Sequence, residues 1–146
     1  MHLAKGLKEL LELFESSGVD YAIAGAFALA YHAKPRYTGD LDLWIRPTQS
    51  GAAKVLSALK AFGFGGLALD EADLLSPDQV LQLGRAPVQV ALLTGLTGLT
   101  SEEILAGRVR ASLGGVDVWY LGKAELRKNK EALRRPQDLA DLSLLI

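Results

Sequence analysis

Cysteine is absent from this chain, which excludes a disulfide scaffold, a thiolate zinc site and a cysteine nucleophile. Histidine is scarce: His2 and His32 are the two present, too few and too far apart for a His-based metal centre. No apolar run approaches the roughly 20 residues of a membrane span. Charge interrupts the apolar pattern of the first residues, so no signal peptide is expected. There is no excess of charge of either sign. The 16 basic and 17 acidic residues leave a net charge of −1, so no global field draws the protein toward nucleic acid or anionic lipid. A phosphate-loop string, a dinucleotide fingerprint and a Ser/His/Asp set are also missing. What is present is a chain of 146 residues, 49% hydrophobic and 23% charged. That is enough apolar material for a core, and the expectation is one soluble, cytoplasmic domain over residues 1–146.

The apolar periodicity predicts a mixed α/β chain. Leu3, Leu7, Leu10, Leu11 and Phe14 share one helical face, so a first helix is expected over about residues 2–17, stopping at Gly18. Residues 21–24 form a short apolar strand, and Gly25 turns the chain into an Ala-rich helix from Ala26 to about His32. Residues 33–39, with Pro35 and Gly39, read as a loop. Leu41, Leu43 and Ile45 alternate along the next strand. Pro47 and Thr48 open a helix with the stripe Ala52, Val55, Leu56, Leu59, and the glycines at 63, 65 and 66 close it. A short helix is expected over about residues 70–75. Strands over about 79–83 and 88–93 form a hairpin, a helix starts near Ser101, and strands 109–113 and 116–120 form a second hairpin. Helices over about 122–133 and 136–146 end the chain, the last beginning at Pro136. The expected fold is a short, twisted, mixed sheet with helices packed mainly on one side.

The chemistry is concentrated between Gly25 and Asp42. Asp40 and Asp42 are two apart on an expected strand, so both carboxylates leave one face with Cα atoms roughly 6.5 Å apart. Such a pair is either a solvated strand edge or a seat for a hard cation that takes oxygen ligands. Gly25 is either a tight turn or the point where backbone and a helix N-terminus meet a phosphate. Arg36 and Thr38 add a guanidinium fork and a hydroxyl.

The whole string from Gly25 to Leu43 resembles the minimal nucleotidyltransferases of the DNA polymerase beta superfamily. Their signature is a strand, a Gly-Gly or Gly-Ser turn, a helix, then D-x-D on the next strand. More narrowly, it is similar to the small bacterial branch related to AbiEii-type toxins, with G-G-x-A-x-x-x-H-G-x-x-R-x-T-x-D-x-D. Residues 82–95 resemble that branch's middle hairpin. Residues 130–142 resemble its closing K-x-A-x-x-R-P-K-D-x-x-D helix pair. The resemblance implies that Gly25 and Ala26 form the phosphate-binding turn, with Arg36 and Thr38 beside a nucleoside triphosphate. It implies that Asp40 and Asp42 are the catalytic carboxylates and hold Mg²⁺ (or Mn²⁺). An NMP would pass to an RNA, protein or small-molecule acceptor while pyrophosphate leaves. Lys130 and Arg135 either lie on a solvated helix face or contact the triphosphate.

Two positions depart from the pattern. Ala26 stands where the family has Gly or Ser. Ala91, in Gln89-Val90-Ala91-Leu92-Leu93-Thr94, stands where the family carries a third carboxylate, and a methyl group neither binds metal nor accepts a proton. Asp117 is a possible substitute or a surface strand residue. Asp138 is expected to be a first-turn acid that complements a helix dipole. Trp44 is expected to cover a sheet face or to stack on a base. His32 is expected to pack beside its helix. Two functions are therefore expected: NMP transfer with Mg²⁺, or a catalytically weakened relative that binds nucleotide or protein in a toxin–antitoxin-like pair.

Overall fold

The computed structural model describes residues 3–34, 40–64 and 69–145. The order of elements is α1 (Lys5–Ser16), β1 (Tyr21–Ile23), α2 (Gly25–His32), β2 (Leu41–Ile45), α3 (Gln49–Phe62), α4 (Glu71–Leu75), β3 (Val80–Arg85), β4 (Val88–Leu93), α5 (Ser101–Gly107), β5 (Val109–Leu113), β6 (Val116–Tyr120), α6 (Lys123–Leu133) and α7 (Pro136–Leu142). The six strands make one sheet in the order β3-β4-β2-β1-β6-β5. The sheet is mixed: β1 pairs antiparallel with β2, β2 parallel with β4, and β1 parallel with β6. The two hairpins, β3–β4 and β5–β6, supply the outer pairs.

Side chains alternate along a strand, and residues paired across strands share a face. One sheet face therefore carries Tyr21, Ile23, Leu41, Leu43, Ile45, Val90 and Leu92, all buried. The stripe Leu7, Leu10, Leu11 and Phe14 buries α1 in the same core. Phe14 meets Tyr21 edge-on at 5.9 Å between ring centroids, which puts α1 on this face. Helix α3 packs against α1 and adds Ala52, Val55, Ala58 and Leu59. The opposite face carries Ala22, Asp42, Trp44, Ala91, Leu93, Gln82 and Val80.

Several boundaries differ from the sequence reading. Helix α1 begins at Lys5, not residue 2, and the first two residues lie outside the described ones. Strand β3 runs on to Arg85, because Gly84 and Arg85 pair with Gln89 and Val88 and shorten the turn to two residues. Helix α5 begins at Ser101, as expected, with Thr100 as its cap. The Thr100 hydroxyl accepts the Glu103 N–H while the Glu103 carboxylate accepts the Thr100 N–H, a reciprocal pair that settles the start. Leu56 is half-buried, and Ala58 takes the buried position expected for it. The last helix stops at Leu142, not 146.

Candidate functional site

Strand β1 ends at Ile23, and Ala24 donates its N–H to Asp42 O at 2.9 Å, stitching the entrance of α2 to β2. Gly25 then opens α2 with φ +60°, a left-handed conformation that side chains resist. Its α-carbon lies against the Asp42 side chain: a β-carbon would run into Asp42 Oδ2 and stand 3.0 Å from Cγ. Only glycine leaves the carboxylate this room.

Across the sheet, Asp42 pairs with Ala91, and Ala91 pairs with Gln82. The three form one row on one face, with the smallest side chain in the middle. Ala91 is 4% exposed yet stays outside the main apolar cluster. It lines a cleft of about 300 Å³ together with Gly25, Asp42, Gln82, Lys130 and Arg135. Helix α6 forms the far wall through Leu126, Asn129, Lys130 and Leu133.

The cationic wall is built by α6 and α7. Lys130, 7% exposed, reaches Asp141 Oδ2 at 2.9 Å and Asp138 Oδ1 at 3.5 Å. Arg134 takes φ +53° at the end of α6 and turns the chain into Arg135. Arg135 donates its backbone N–H and Nε to Asp138 Oδ2 at 3.0 and 2.6 Å, and Nη2 to Oδ1 at 3.2 Å. These bonds hold the Asp138 carboxyl below the usual carboxylate range. Asp42 shifts the other way. Burial, then the charge of Asp40, pushes its carboxyl up to about 6, against an opposing pull from Arg135 and Lys130.

The structure thus brings together Gly25, Asp42, Ala91, Lys130 and Arg135. Asp40 precedes β2, whose first residue is Leu41, so it stands at the strand's entrance and not on it. It is half-buried and close enough to act on Asp42. Ala26 follows Gly25 in α2, half-buried, and is not among the residues lining the cleft. Arg36 and Thr38 lie outside the described residues. Asp117 is exposed on β6, with β1 between it and β2, and borders a groove with Glu12, Glu15 and Arg110. It is not among the residues that line the cleft with Ala91. Trp44 is fully buried, which overturns base stacking. Its Nε1 is the one buried side-chain polar atom without a hydrogen-bond partner among the described residues. His32 Nε2 sits 2.6 Å from Leu121 O, a hydrogen bond to the segment after β6 and not a contact within its own helix.

Among the described residues, no three His, Cys, Asp or Glu side chains converge to hold a metal ion. The solvated-face alternative for the tail fails at Lys130, which is buried between two aspartates. Asp138 does accept the Arg135 N–H at the start of α7, but it also binds two side-chain cations, more than a dipole partner needs. Asn129 escaped the sequence reading, and Asp141 entered it as the last acid of the closing motif without a role. The spacing of Asp138 and Asp141, three apart on a helix, was the available signal for a shared face. Asn129 donates Nδ2 to Thr97 O at 2.9 Å, a contact across 32 residues that no local pattern announces.

No protein-family model and no curated protein matches this chain. A solved structure does. It is a protein of Thermotoga maritima described as a candidate nucleotidyltransferase, 12% identical, with a TM-score of 0.63 over 94% of this chain and 88% of that one. The fold is nucleotidyltransferase-like: a mixed six-stranded sheet with the cleft where β2, β4 and the start of α2 meet. No helix among the described residues is long and apolar enough to cross a membrane.

Proposed function

We propose that the cleft binds a nucleoside triphosphate together with a divalent cation, and that the domain acts in NMP transfer in the manner of the small AbiEii-like nucleotidyltransferases. The observation that carries this reading is the convergence of Gly25, Asp42 and the Lys130–Arg135 segment on one cleft from three separate parts of the chain. Gly25 leaves the Asp42 carboxylate room to lie against the start of α2, and Lys130 with Arg135 offers charged donors to phosphate oxygens.

The donor set fits a hard cation. Asp42 is an oxygen ligand whose ionised form is disfavoured by burial and by Asp40, and a cation would relieve both costs. Asp40 and Asp42 would hold Mg²⁺ or Mn²⁺. When bound, the ion would neutralise phosphate charge and order the leaving pyrophosphate. Arg36 and Thr38 are assigned to the triphosphate by the family resemblance.

Calorimetric titration of ATP, GTP, CTP and UTP, with Mg²⁺ and with EDTA, tests this reading. Metal-dependent binding lost in Asp42→Ala supports it, and equal binding by that variant overturns it. Incubation with α-labelled triphosphates and bulk cellular RNA or protein then tests transfer.

Ala91 favours a second reading. Paired directly with Asp42, it puts a methyl group where the family carries its third carboxylate, removing a ligand and a proton acceptor. The domain would then be a catalytically weakened member that binds nucleotide or a protein partner, as in a toxin–antitoxin-like pair. Metal-dependent binding with no label transferred would select this reading.

A further inference from the structure

We propose that Asp138, helped by Asp141, is a positioning residue of the cleft: it fixes the Lys130 ammonium and the Arg135 guanidinium as one edge for the phosphates of a nucleoside triphosphate. The inference rests on the nucleotide-binding reading above and adds the group that sets the phosphate edge.

Asp138 is 1% exposed and Asp141 2% exposed. A buried carboxylate is held only against a large desolvation cost unless cations and donors compensate it. Asp138 is compensated by both cleft cations at once. One oxygen takes Arg135 Nε and backbone N–H at 2.6 and 3.0 Å, and the other faces Arg135 Nη2 at 3.2 Å and Lys130 Nζ at 3.5 Å. Asp141 holds the same ammonium from the next turn of α7, at 2.9 Å.

Neither cation is exhausted by these bonds. An ammonium has three N–H donors and a guanidinium five. Two carboxylates can occupy two of the former, and Asp138 engages two of the latter. The Arg135 side chain is 67% exposed although its root is clamped, and both residues line the cleft opposite Asp42. A long cationic side chain otherwise gives up substantial rotamer freedom on meeting a ligand. Here that freedom is already spent within the protein, so the two heads are held ready.

Two simpler roles predict different outcomes. If Asp138 mattered only through its charge, removing it would make the cleft more positive and tighten phosphate binding. If it only supported the fold, its loss would weaken every nucleotide alike. Positioning of phosphate donors instead weakens binding in proportion to the phosphates present.

The experiment is calorimetric titration of the full chain with AMP, ADP and ATP in Mg²⁺, for the parent, Asp138→Asn, Lys130→Met and the double variant. The parent should bind ATP more tightly than ADP, and ADP more tightly than AMP. Asp138→Asn should weaken ATP by about tenfold or more while moving AMP by less than about twofold. The double variant should lose less than the sum of the two single losses, because part of the effect of Asp138 runs through Lys130 and the rest through Arg135. Unchanged or tighter ATP binding in Asp138→Asn overturns the proposal, as does an equal loss for AMP and ATP. Should Asp138→Asn fail to fold by circular dichroism, Asp141→Asn carries the same test, with the same direction expected and the same results against it. A parent that binds no nucleotide brings down the nucleotide reading and this inference together. A parent that binds, beside an unaffected variant, brings down this inference alone.

Discussion

The Asp42 carboxylate rests on the α-carbon of Gly25, in the space a β-carbon would occupy. Gly25→Ala therefore meets two costs, a left-handed backbone at roughly 1–2 kcal/mol and overlap with Asp42. Urea unfolding should show a loss of at least that size. The loss should shrink when Asp42 is also alanine, since the overlapping oxygen is gone. Equal losses in both backgrounds would mean the contact carries no energy.

Asp42 also makes stability depend on pH. Its folded-state carboxyl lies at about 6, above the roughly 3.9 of an unfolded aspartate. The folded state binds the proton more tightly, so this contribution is complete below about pH 4 and is lost as pH rises through about 6. Asp42→Asn should match the parent near pH 4 and exceed it by roughly 2–3 kcal/mol near pH 7.5 in EDTA. Paired thermal melts across that range check the sign. A variant less stable than the parent at neutral pH would contradict it.

Ala91→Asp places a carboxylate on the strand position paired with Asp42. Without metal, a further like charge beside a buried carboxylate should lower the melting temperature at neutral pH. Mg²⁺ should restore the variant more than it shifts the parent, because each added anionic oxygen strengthens the hold on a hard cation. Melts with and without Mg²⁺ measure the difference, and a proton acceptor at this place should also raise any label transfer. Unfolding regardless of metal would show that residue 91 serves the core alone.

Trp44 is fully buried and its indole N–H lacks a partner. An unmade buried hydrogen bond costs about 1–3 kcal/mol, so Trp44→Phe removes a penalty while it opens a small cavity. Denaturant titration should find Trp44→Phe within about 1 kcal/mol of the parent, the two effects offsetting, against the 3–5 kcal/mol typical of Trp→Ala in a core. A Phe variant as unstable as the Ala variant would show that packing alone governs the site.

Much of the architecture was legible because it is written in local periodicity. The stripe Leu7, Leu10, Leu11, Phe14 announces α1, and the alternation from Leu41 to Ile45 announces β2. The short strands 109–113 and 116–120 stand apart because Gly114 and Gly115, both with positive φ, leave no other use for that dipeptide. The resemblance to the nucleotidyltransferases, not any local period, suggested that Gly25, Asp42 and position 91 lie together; in the sheet Asp42 pairs with Ala91 and lies against Gly25.

What the sequence alone determined, then, was the set of elements and the chemical types available: oxygen ligands without thiols, and cations gathered in the last third of the chain. Only the tertiary structure decided which of those cations face Asp42 and which are spent elsewhere. Arg127 is used on Leu145 O at 2.6 Å and Lys128 on Glu103, whereas Lys130, from the same helix, is buried at the cleft between Asp138 and Asp141. The physical reason is that helix and strand periods are set by neighbours in the chain. The partner of a buried charge is set by which surfaces meet, and those surfaces come from residues far apart in sequence. Desolvation then makes that pairing decisive, since a charge removed from water must find its counter-charge wherever the packing has put it.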